Sequence, residues 1–392
     1  MSEGEIEAVD RFYVARDLRS RGFTPISVQE KEGNFLEKLT SFLNIFSKIG
    51  NDELILFTKN LSGMIKAGLS LSRALSVLKK QTKNPKFYKI LTSLANDIDA
   101  GETFSGSLSK FPETFSNLFV SMTRAGEESG NLAGALSDVG MNLEKANSLT
   151  KKIRGAMIYP GVILSAMIVI GVLMFAFVVP TLASTFKELG VELPLSTRIL
   201  IFLGNFFSNN LILTFAIIFL VAFGIYSMFR ASFMAKYIDF AVIKFPIIGN
   251  LTKELNTART ARTISSLLIS GVSVTRALKI TGDVVQNIYY KQVLDEAKNS
   301  VEKGAPFSDA FTKNTNLYPV MMSEMMEVGE ETGKLSDMLL QIALFYEEEI
   351  ENKTKNLSTV IEPLLMIVIG AAVGFFAISM ISPLYSILGS IN

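Results

Sequence analysis

Apolar residues recur along most of this chain with the spacing of a helix. From residue 51 onward, Leu54, Phe57, Leu61 and Ile65 fall on one helical face. Few runs alternate with a period of two, which argues against a sheet. The pattern therefore predicts an all-α protein.

Three stretches contain no Asp, Glu, Lys or Arg, and each has at least 30 residues: 155–186, 199–229 and 363–392. A bilayer core needs roughly 20 helical residues, so each stretch is long enough to span a membrane. A buried core helix is the alternative, but such helices rarely exceed about 14 consecutive apolar residues. The predicted transmembrane helices are 157–180, 208–229 and 363–388.

Basic residues mark one side of these spans. They cluster before the first span, after the second and before the third, whereas the segment 181–207 holds only Lys187 and Arg198. By the positive-inside rule, the polar segments and the N-terminus face the cytoplasm, and 181–207 is a periplasmic loop. Residues 1–10 are acidic and polar, which is not the pattern of a secretory signal.

The second half of the chain repeats the first at an offset of 203 positions. Residues 125–132 read Ala-Gly-Glu-Glu-Ser-Gly-Asn-Leu, and residues 328–335 read Val-Gly-Glu-Glu-Thr-Gly-Lys-Leu. Self-similarity at a fixed offset indicates a duplicated structural unit. The same offset pairs Gly68 with Gly271, Gly101 with Gly304, Phe104 with Phe307, Pro160 with Pro363 and Pro180 with Pro383.

Each copy joins a polar helical segment to a membrane segment. The prediction is an all-α membrane protein with two repeated cytoplasmic helical-bundle domains, 51–154 and 230–356, and three transmembrane helices. Because one further span separates the two terminal spans, both bundles emerge on the same side in the same sense. This parallel repeat disfavours an inverted-repeat transporter.

Glycine and proline divide the first bundle into short helices. A sixth helical stretch, 132–152, has no strong breaker before the first span, and 335–355 repeats it. Each stretch would couple a bundle mechanically to a membrane helix. The first helix is predicted to end at Gly68. The second is predicted to begin near Ser70, the third at Pro85, the fourth near Phe104 and the fifth at Pro112.

Residues 1–50 form a lead-in with a different pattern. A helix over 8–21 stopped by Gly22, a short strand over 23–28 and an amphipathic helix over 35–49 are expected. The last of these either lies on the membrane surface or packs against a neighbouring helix, because amphipathicity alone separates neither.

Composition excludes several kinds of chemistry. The 38 basic and 37 acidic residues nearly balance, which gives no reason to expect a nucleic-acid partner. The chain has no histidine and no cysteine, so disulfides, thiol nucleophiles and histidine-based catalysis are impossible. Neither a phosphate-binding loop nor a dinucleotide fingerprint occurs. No cofactor and no catalytic residue are predicted.

The paired carboxylates of the repeated motif are the main candidates for function. Adjacent helical side chains point about 100° apart, which is poor geometry for two carboxyls sharing a proton. A docking or module-packing role is therefore favoured, with Ca²⁺ or Mg²⁺ ligation as the alternative. The candidates are Gly126, Glu127, Glu128 and Gly130 in the first copy and Gly329, Glu330, Glu331 and Gly333 in the second.

Prolines stand at the predicted membrane entry of both copies. Pro160 and Pro363 each remove a backbone donor and can kink a helix, which makes them hinge candidates. Simple tolerance of proline in membrane helices is the alternative. Glu362 directly precedes Pro363. It is expected to be either an interfacial residue paired with Lys353 or Lys355, or a functional carboxylate.

These motifs together resemble a known family. Leu54-x-x-Phe57-Thr58, the doubled Gly-Glu-Glu-[Ser/Thr]-Gly-x-Leu and Glu362-Pro363 are similar to the inner-membrane platform proteins of type II secretion systems and type IV pili, the F/PilC family. The resemblance implies a non-enzymatic, multi-pass protein of the bacterial inner membrane that forms homo-oligomers. It implies as partners a hexameric assembly ATPase, pilin or pseudopilin subunits and other inner-membrane assembly proteins.

Two other classes of function stay open. One is a small oligomeric membrane transporter or channel, with a pore lined by several subunits. Charged residues inside the membrane normally mark transport proteins, and the predicted spans contain none apart from Glu362 at the edge. A membrane enzyme using only carboxylates is the weaker alternative.

Overall fold

A computed structural model describes residues 48–188, 194–209, 232–245 and 248–390, together with isolated positions such as Leu18 and Gly22. All regular secondary structure within these residues is helical. Gly22 has a φ of +83°, a conformation suited to a residue that ends a helix. The other predictions for the lead-in, including its strand and its amphipathic helix, lie outside the described residues.

The first module, residues 51–154, contains five short helices and the start of a long one. Asn84 accepts hydrogen bonds from the backbone N–H groups of Lys86 and Phe87, which caps the third helix. Gly68 and Gly101 adopt φ values of +89° and +87°, which end the first and third helices. The helices are α1 Asn51–Lys66, α2 Leu71–Gln81, α3 Pro85–Asp99, α4 Phe104–Ser109, α5 Asn117–Glu128 and α6 Leu132–Leu173.

The prediction that Pro112 opens the fifth helix is wrong. Pro112 lies in a turn, and α5 begins at Asn117 after the cap residue Ser116, whose hydroxyl accepts a hydrogen bond from the N–H of Phe119. A side-chain cap is a stronger start signal than a proline, because it satisfies a helix donor that would otherwise have no partner.

Directly after the first module, residues 155–186 form an apolar stretch. The long helix continues from α6 through a π-helical segment, Met174–Val178, into α7, Val179–Glu188. Pro180 lies two residues after the end of the π-helical segment, and a wider turn relieves the clash that a proline ring makes with the preceding turn. Two further helices in this region are α8, Leu195–Asn209, and α9, Ser232–Lys244.

The second module repeats the first helix by helix. Its helices are α10 Ile248–Ile269, α11 Val274–Val284, α12 Ile288–Val301, α13 Asp309–Lys313, α14 Val320–Glu331 and α15 Leu335–Ser390. Helices α11 and α14 begin and end 203 positions after α2 and α5, and α15 begins 203 positions after α6. Gly271 and Gly304 have φ values of +83° and +84°, like their counterparts in the first module.

Equivalent contacts hold the two modules together internally. The Ser62 hydroxyl donates to the carbonyl oxygen of Ala133 at 2.7 Å, and the Ser265 hydroxyl donates to that of Ser336 at 2.8 Å. Both bonds join the first helix of a module to its long last helix. The buried apolar side chains of both modules form one continuous core, so the bundles are packed against each other.

Within the described residues, two helical stretches are long and apolar enough to cross a membrane, Leu132–Phe186 and Ile361–Ser382. The first stretch contains the first predicted span, 157–180, and the second covers residues 363–382 of the third predicted span, 363–388. A shorter apolar helix, Thr197–Phe207, precedes the second predicted span at 208–229, most of which lies outside the described residues. Within the segment 181–207, α7 and α8 occupy most of the described residues, and its position in the periplasm stays a prediction.

The apolar ends of α7, α8 and α15 pack together. Val179, Leu200 and Met380 are buried in one small cluster, and the Thr197 hydroxyl donates to the carbonyl oxygen of Ser379. A Cβ on Gly204 would lie 2.5 Å from a methyl carbon of Val179, so only glycine permits this approach of α8 to α7.

Candidate functional site

The repeated Gly-Glu-Glu motif closes α5 in the first module and α14 in the second, where each helix turns back into the long helix of its module. Gly130 and Gly333 have φ values of +72° and +68°. This left-handed conformation disfavours side chains with a Cβ, which accounts for the last glycine of the motif.

The first glycine of the motif allows two helices to approach closely. A Cβ on Gly126 would lie 2.2 Å from the Cβ of Ala135 on α6. A Cβ on Gly329 would lie 3.0 Å from the Cα of Leu335 and 3.1 Å from the Cβ of Met338 on α15. Both glycines are buried, so this position is a packing point in each copy.

The first glutamate of the motif points back into its own module. The Glu127 carboxylate accepts hydrogen bonds from the backbone N–H groups of Phe104 at 2.6 Å and Ser105 at 3.1 Å, and from the Ser105 hydroxyl at 2.8 Å. In the second copy both carboxylate oxygens of Glu330 lie 2.9 Å from the backbone nitrogen of Phe307. Each carboxylate therefore supplies an acceptor to donors that α4 and the turn before α13 would leave unsatisfied.

The second glutamate of the motif has a different environment. Glu128 and Glu331 are exposed, and neither side chain forms an ion pair or hydrogen bond with another described residue. No group of three or more acidic side chains with the spacing of a metal site occurs among the described residues. The motif thus combines one inward carboxylate with one outward carboxylate in both copies.

The membrane-entry prolines lie inside unbroken helices. Pro160 is buried within α6, and Pro363 is exposed within α15. The structure shows neither residue ending its helix, so a hinge at these positions stays a prediction. Glu362 is exposed.

The pairing expected for Glu362 is wrong. Lys353 pairs with Glu254 and also lies 3.7 Å from Glu349, and Lys355 lies 3.3 Å from Glu351. Both lysines are thus held by carboxylates of the second module. Burial, with smaller contributions from Glu254 and Glu349, raises the pKa of the nearby Tyr346 to about 12.

Sequence reasoning missed a duplicated ion pair. Lys59 on α1 contacts Glu144 on α6, and Arg262 on α10 contacts Glu347 on α15. The offset of 203 relates both members, so a search for charges kept in both copies would have found them. The acidic run at 347–349 instead reads as a solvated face, because nothing local points to a basic residue 85 positions earlier.

The two modules also meet across polar contacts that no motif marks. The Asn117 side chain donates to Asp283 at 3.0 Å, Asn142 donates to Ser266, and Lys152 pairs with Glu351. Beside the first of these contacts, between α5 and α11, lies a groove of about 480 Å³. Its basic lining residues are Arg124, Arg276, Lys279 and Lys298.

A family model described as type II secretion system (T2SS), protein F, matches residues 57–180 and 260–383. The two matched segments start 203 positions apart and end 203 positions apart, in agreement with the predicted repeat. Each runs from the first helix of a module to a proline in the apolar part of its copy, Pro180 in the first and Pro383 in the second.

Full-length relatives carry names from two machines. The chain is 34% identical to the type IV pilus assembly protein PilC of Thermus thermophilus, over 100% of this chain and 96% of the relative. It is 30% identical to the type II secretion system protein F of Aeromonas hydrophila, over 97% of each chain. It is 29% identical to the PilC protein of Pseudomonas aeruginosa, over 95% of this chain and 98% of the relative.

Proposed function

Because this chain belongs to the type II secretion system protein F family, we propose that it is the inner-membrane platform of a type IV pilus or type II secretion machine. In this role it couples a cytoplasmic assembly ATPase to the extraction and polymerisation of pilin or pseudopilin subunits. Relatives named after both machines support the platform role, and their names give no preference between the two.

One structural observation supports the coupling. Helices α6 and α15 each start in a polar module and continue without interruption into an apolar stretch. At 1.5 Å per residue, α6 is about 60 Å long and α15 about 85 Å long. A displacement of either module is then transmitted along a continuous helix to the segment that contacts lipid and membrane-embedded subunits.

The source of work lies outside this chain in our proposal. The sequence has no phosphate-binding loop, no histidine and no cysteine. The platform therefore acts as a non-enzymatic transmission part, driven by a hexameric ATPase that contacts its cytoplasmic surface. The exposed Glu128 and Glu331 are the candidates for that contact, since they occupy equivalent outward positions in both modules.

The arrangement in the membrane is part of the proposal. Three spans, with both modules and the N-terminus in the cytoplasm, place the connection between α7 and α8 in the periplasm. Single cysteines at Lys110, Lys334 and Glu188 test this in a chain that has no cysteine of its own. An impermeant maleimide should label Glu188→Cys in intact cells, and should label the other two variants only after permeabilisation. Labelling of the two modules from opposite sides would overturn the arrangement.

Interrupting a long helix tests the coupling itself. We expect a Gly-Ser-Gly-Ser insertion between Arg154 and Gly155 to leave the protein in the membrane and to abolish filament assembly or secretion in its own host. The flexible insert uncouples the module from the membrane segment, because glycine and serine favour a flexible chain over a helix.

A matched insertion provides the control. The same four residues between Thr82 and Lys83 lie in the loop between α2 and α3, outside both long helices. This variant should retain assembly, since loops tolerate insertion. Full assembly by the α6 insertion variant at normal protein levels would contradict mechanical coupling through α6.

A further inference from the structure

The contact between the two modules uses different faces of two copies of the same unit. The first module contributes α5 and α6, through Asn117 and Asn142, and the second contributes α11 and α10, through Asp283 and Ser266. In such a head-to-tail contact each module uses one face, and the equivalent face of the other module stays uncovered. The equivalent of the α5–α6 face lies 203 positions later, on the second module. The equivalent of the α10–α11 face lies 203 positions earlier, on the first module.

The free face of the second module, which we call the acidic face, lies on α14 and α15. Val320 takes the position of Asn117, and Phe345 takes the position of Asn142. Both are exposed large apolar residues, and Phe345 retains 46% of its accessible surface. On α14, four and seven residues after Val320, Glu324 and Glu327 are exposed and form no ion pair with a described residue.

The free face of the first module, the basic face, lies on α1 and α2. Leu56 is 60% exposed, and Gly63 takes the position of Ser266. No atom of a described residue lies within 4 Å of where a Cβ on Gly63 would be, so this point is open among the residues that the structure describes. On α2, Arg73 and Lys80 are exposed and unpaired within the described part of the chain.

These two faces complement each other at equivalent positions. Replacing each partner of the Asn142–Ser266 contact by its counterpart puts the large Phe345 side chain opposite the open space at Gly63. The charges also become complementary at a second pair of positions. Arg124 and Arg276, both basic, line the groove within the chain, whereas their counterparts are the acidic Glu327 and the basic Arg73.

We propose that a second copy of this chain occupies the basic face, binding it with its own acidic face in the same manner as the contact between modules. The bound copy would place Glu327 opposite Arg73, at the position where the internal contact has Arg124 and Arg276, and this change from like to opposite charges favours association between copies. The exposed apolar residues Leu56, Val320 and Phe345 would be removed from water.

Repetition of this contact builds an extended assembly. A head-to-tail interface is not self-complementary, so each copy offers one acidic and one basic face, and successive copies close into a ring or continue as a filament. Self-association of this kind concerns the modules alone, and it can be measured whether or not the chain drives filament assembly.

Cysteine cross-linking in native membranes tests the proposal, since the parent chain has no cysteine. Two differently tagged full-length copies would carry Gly63→Cys and Phe345→Cys respectively and be expressed together. Oxidation or a short bismaleimide should join the two tags. Asn142→Cys with Ser266→Cys in one chain serves as the positive control, because these side chains are already in contact.

The negative control pairs Gly63→Cys with Lys89→Cys, an exposed residue on α3 outside both faces. We expect Glu327→Arg to reduce the Gly63–Phe345 cross-link about tenfold, and Arg73→Glu on the other copy to restore it. The proposal is overturned if the internal control forms while the intermolecular pair does not exceed the Lys89 control. Cross-linking of Gly63→Cys only to proteins other than this chain would overturn it equally.

Discussion

Arg262 and Glu347 form a buried ion pair between α10 and α15, and only 9% and 17% of their side-chain surfaces are exposed. Two bonds join them, with Nη2 of Arg262 2.8 Å from Oε2 of Glu347. Their counterparts, Lys59 and Glu144, lie 2.7 Å apart with about half of each side chain exposed. The duplication kept the pair of charges and changed its environment.

The two pairs should differ in their effect on stability. Removing one partner of a buried pair leaves an uncompensated charge and costs about 3–5 kcal/mol, whereas an exposed pair is worth about 0–1 kcal/mol. Glu347→Ala should therefore lower the thermal midpoint of the purified protein clearly, and Glu144→Ala should lower it slightly or not at all. Circular dichroism of both variants in one detergent would measure the difference. Equal midpoints would contradict it.

The first glycine of the motif should be less tolerant in the first module. An added Cβ at position 126 meets Ala135 at 2.2 Å, which requires movement of a helix, whereas at position 329 the nearest contacts are 3.0 Å or longer. Overpacking of this kind costs about 1–3 kcal/mol. Gly126→Ala should lower the thermal midpoint more than Gly329→Ala. Gly155→Ala is a control, because no atom of a described residue lies within 4 Å of a Cβ added at that position.

The two glutamates of the motif should separate stability from assembly. Glu127→Ala leaves partly buried backbone N–H groups of α4 without an acceptor, which costs about 1–3 kcal/mol. Glu128→Ala removes no internal bond and should leave the thermal midpoint unchanged. If Glu128 and Glu331 contact the ATPase, the double alanine variant should reduce assembly or co-purification of the ATPase at normal protein levels. Unchanged recruitment would exclude that contact.

Two buried tyrosines of the second module should respond differently to loss of the hydroxyl. Among the described residues the Tyr290 hydroxyl has no hydrogen-bond partner, whereas the Tyr318 hydroxyl lies 3.1 Å from that of Thr260. The first module has phenylalanine at both equivalent positions. Tyr290→Phe should leave stability unchanged or raise it, and Tyr318→Phe should cost about 1 kcal/mol. Thermal midpoints of both variants in the same detergent measure this difference. A larger loss for Tyr290→Phe than for Tyr318→Phe would contradict the prediction.

Alkaline pH should act through Tyr346. Burial, followed by the charges of Glu254 and Glu349, raises the pKa of this phenol from 10.0 to about 12. Because the folded pKa lies above the unfolded one, the contribution of Tyr346 to stability is complete below about pH 10 and is lost as the pH rises toward 12. Between about pH 10 and 12, the free energy of unfolding of Tyr346→Phe should therefore fall less than that of the parent protein. Tyr88→Phe, at an exposed site, should lose as much stability as the parent protein over the same range.

Much of the fold could be predicted from local signals. Gly68 and Gly101 end helices because glycine alone readily adopts the left-handed conformation found there, and Asn84 caps α3 with its own side chain. Pro112 misled because the stronger cap at Ser116 lies four residues later. For the candidate site, the motif was visible, but the opposite directions of Glu127 and Glu128 were not, since these depend on the position of α4.

Residue spacing and composition were enough to predict the duplicated unit, the helical character of the described modules and the existence of long apolar stretches. These follow from spacing and composition, which act over a few residues or recur at a fixed offset. The contact of Arg262 with Glu347, the close approach of Gly126 to Ala135 and the packing of the modules through unlike faces became visible only in the folded protein. Those contacts join residues distant in the chain, and packing of whole helices, rather than any local preference, brings them together.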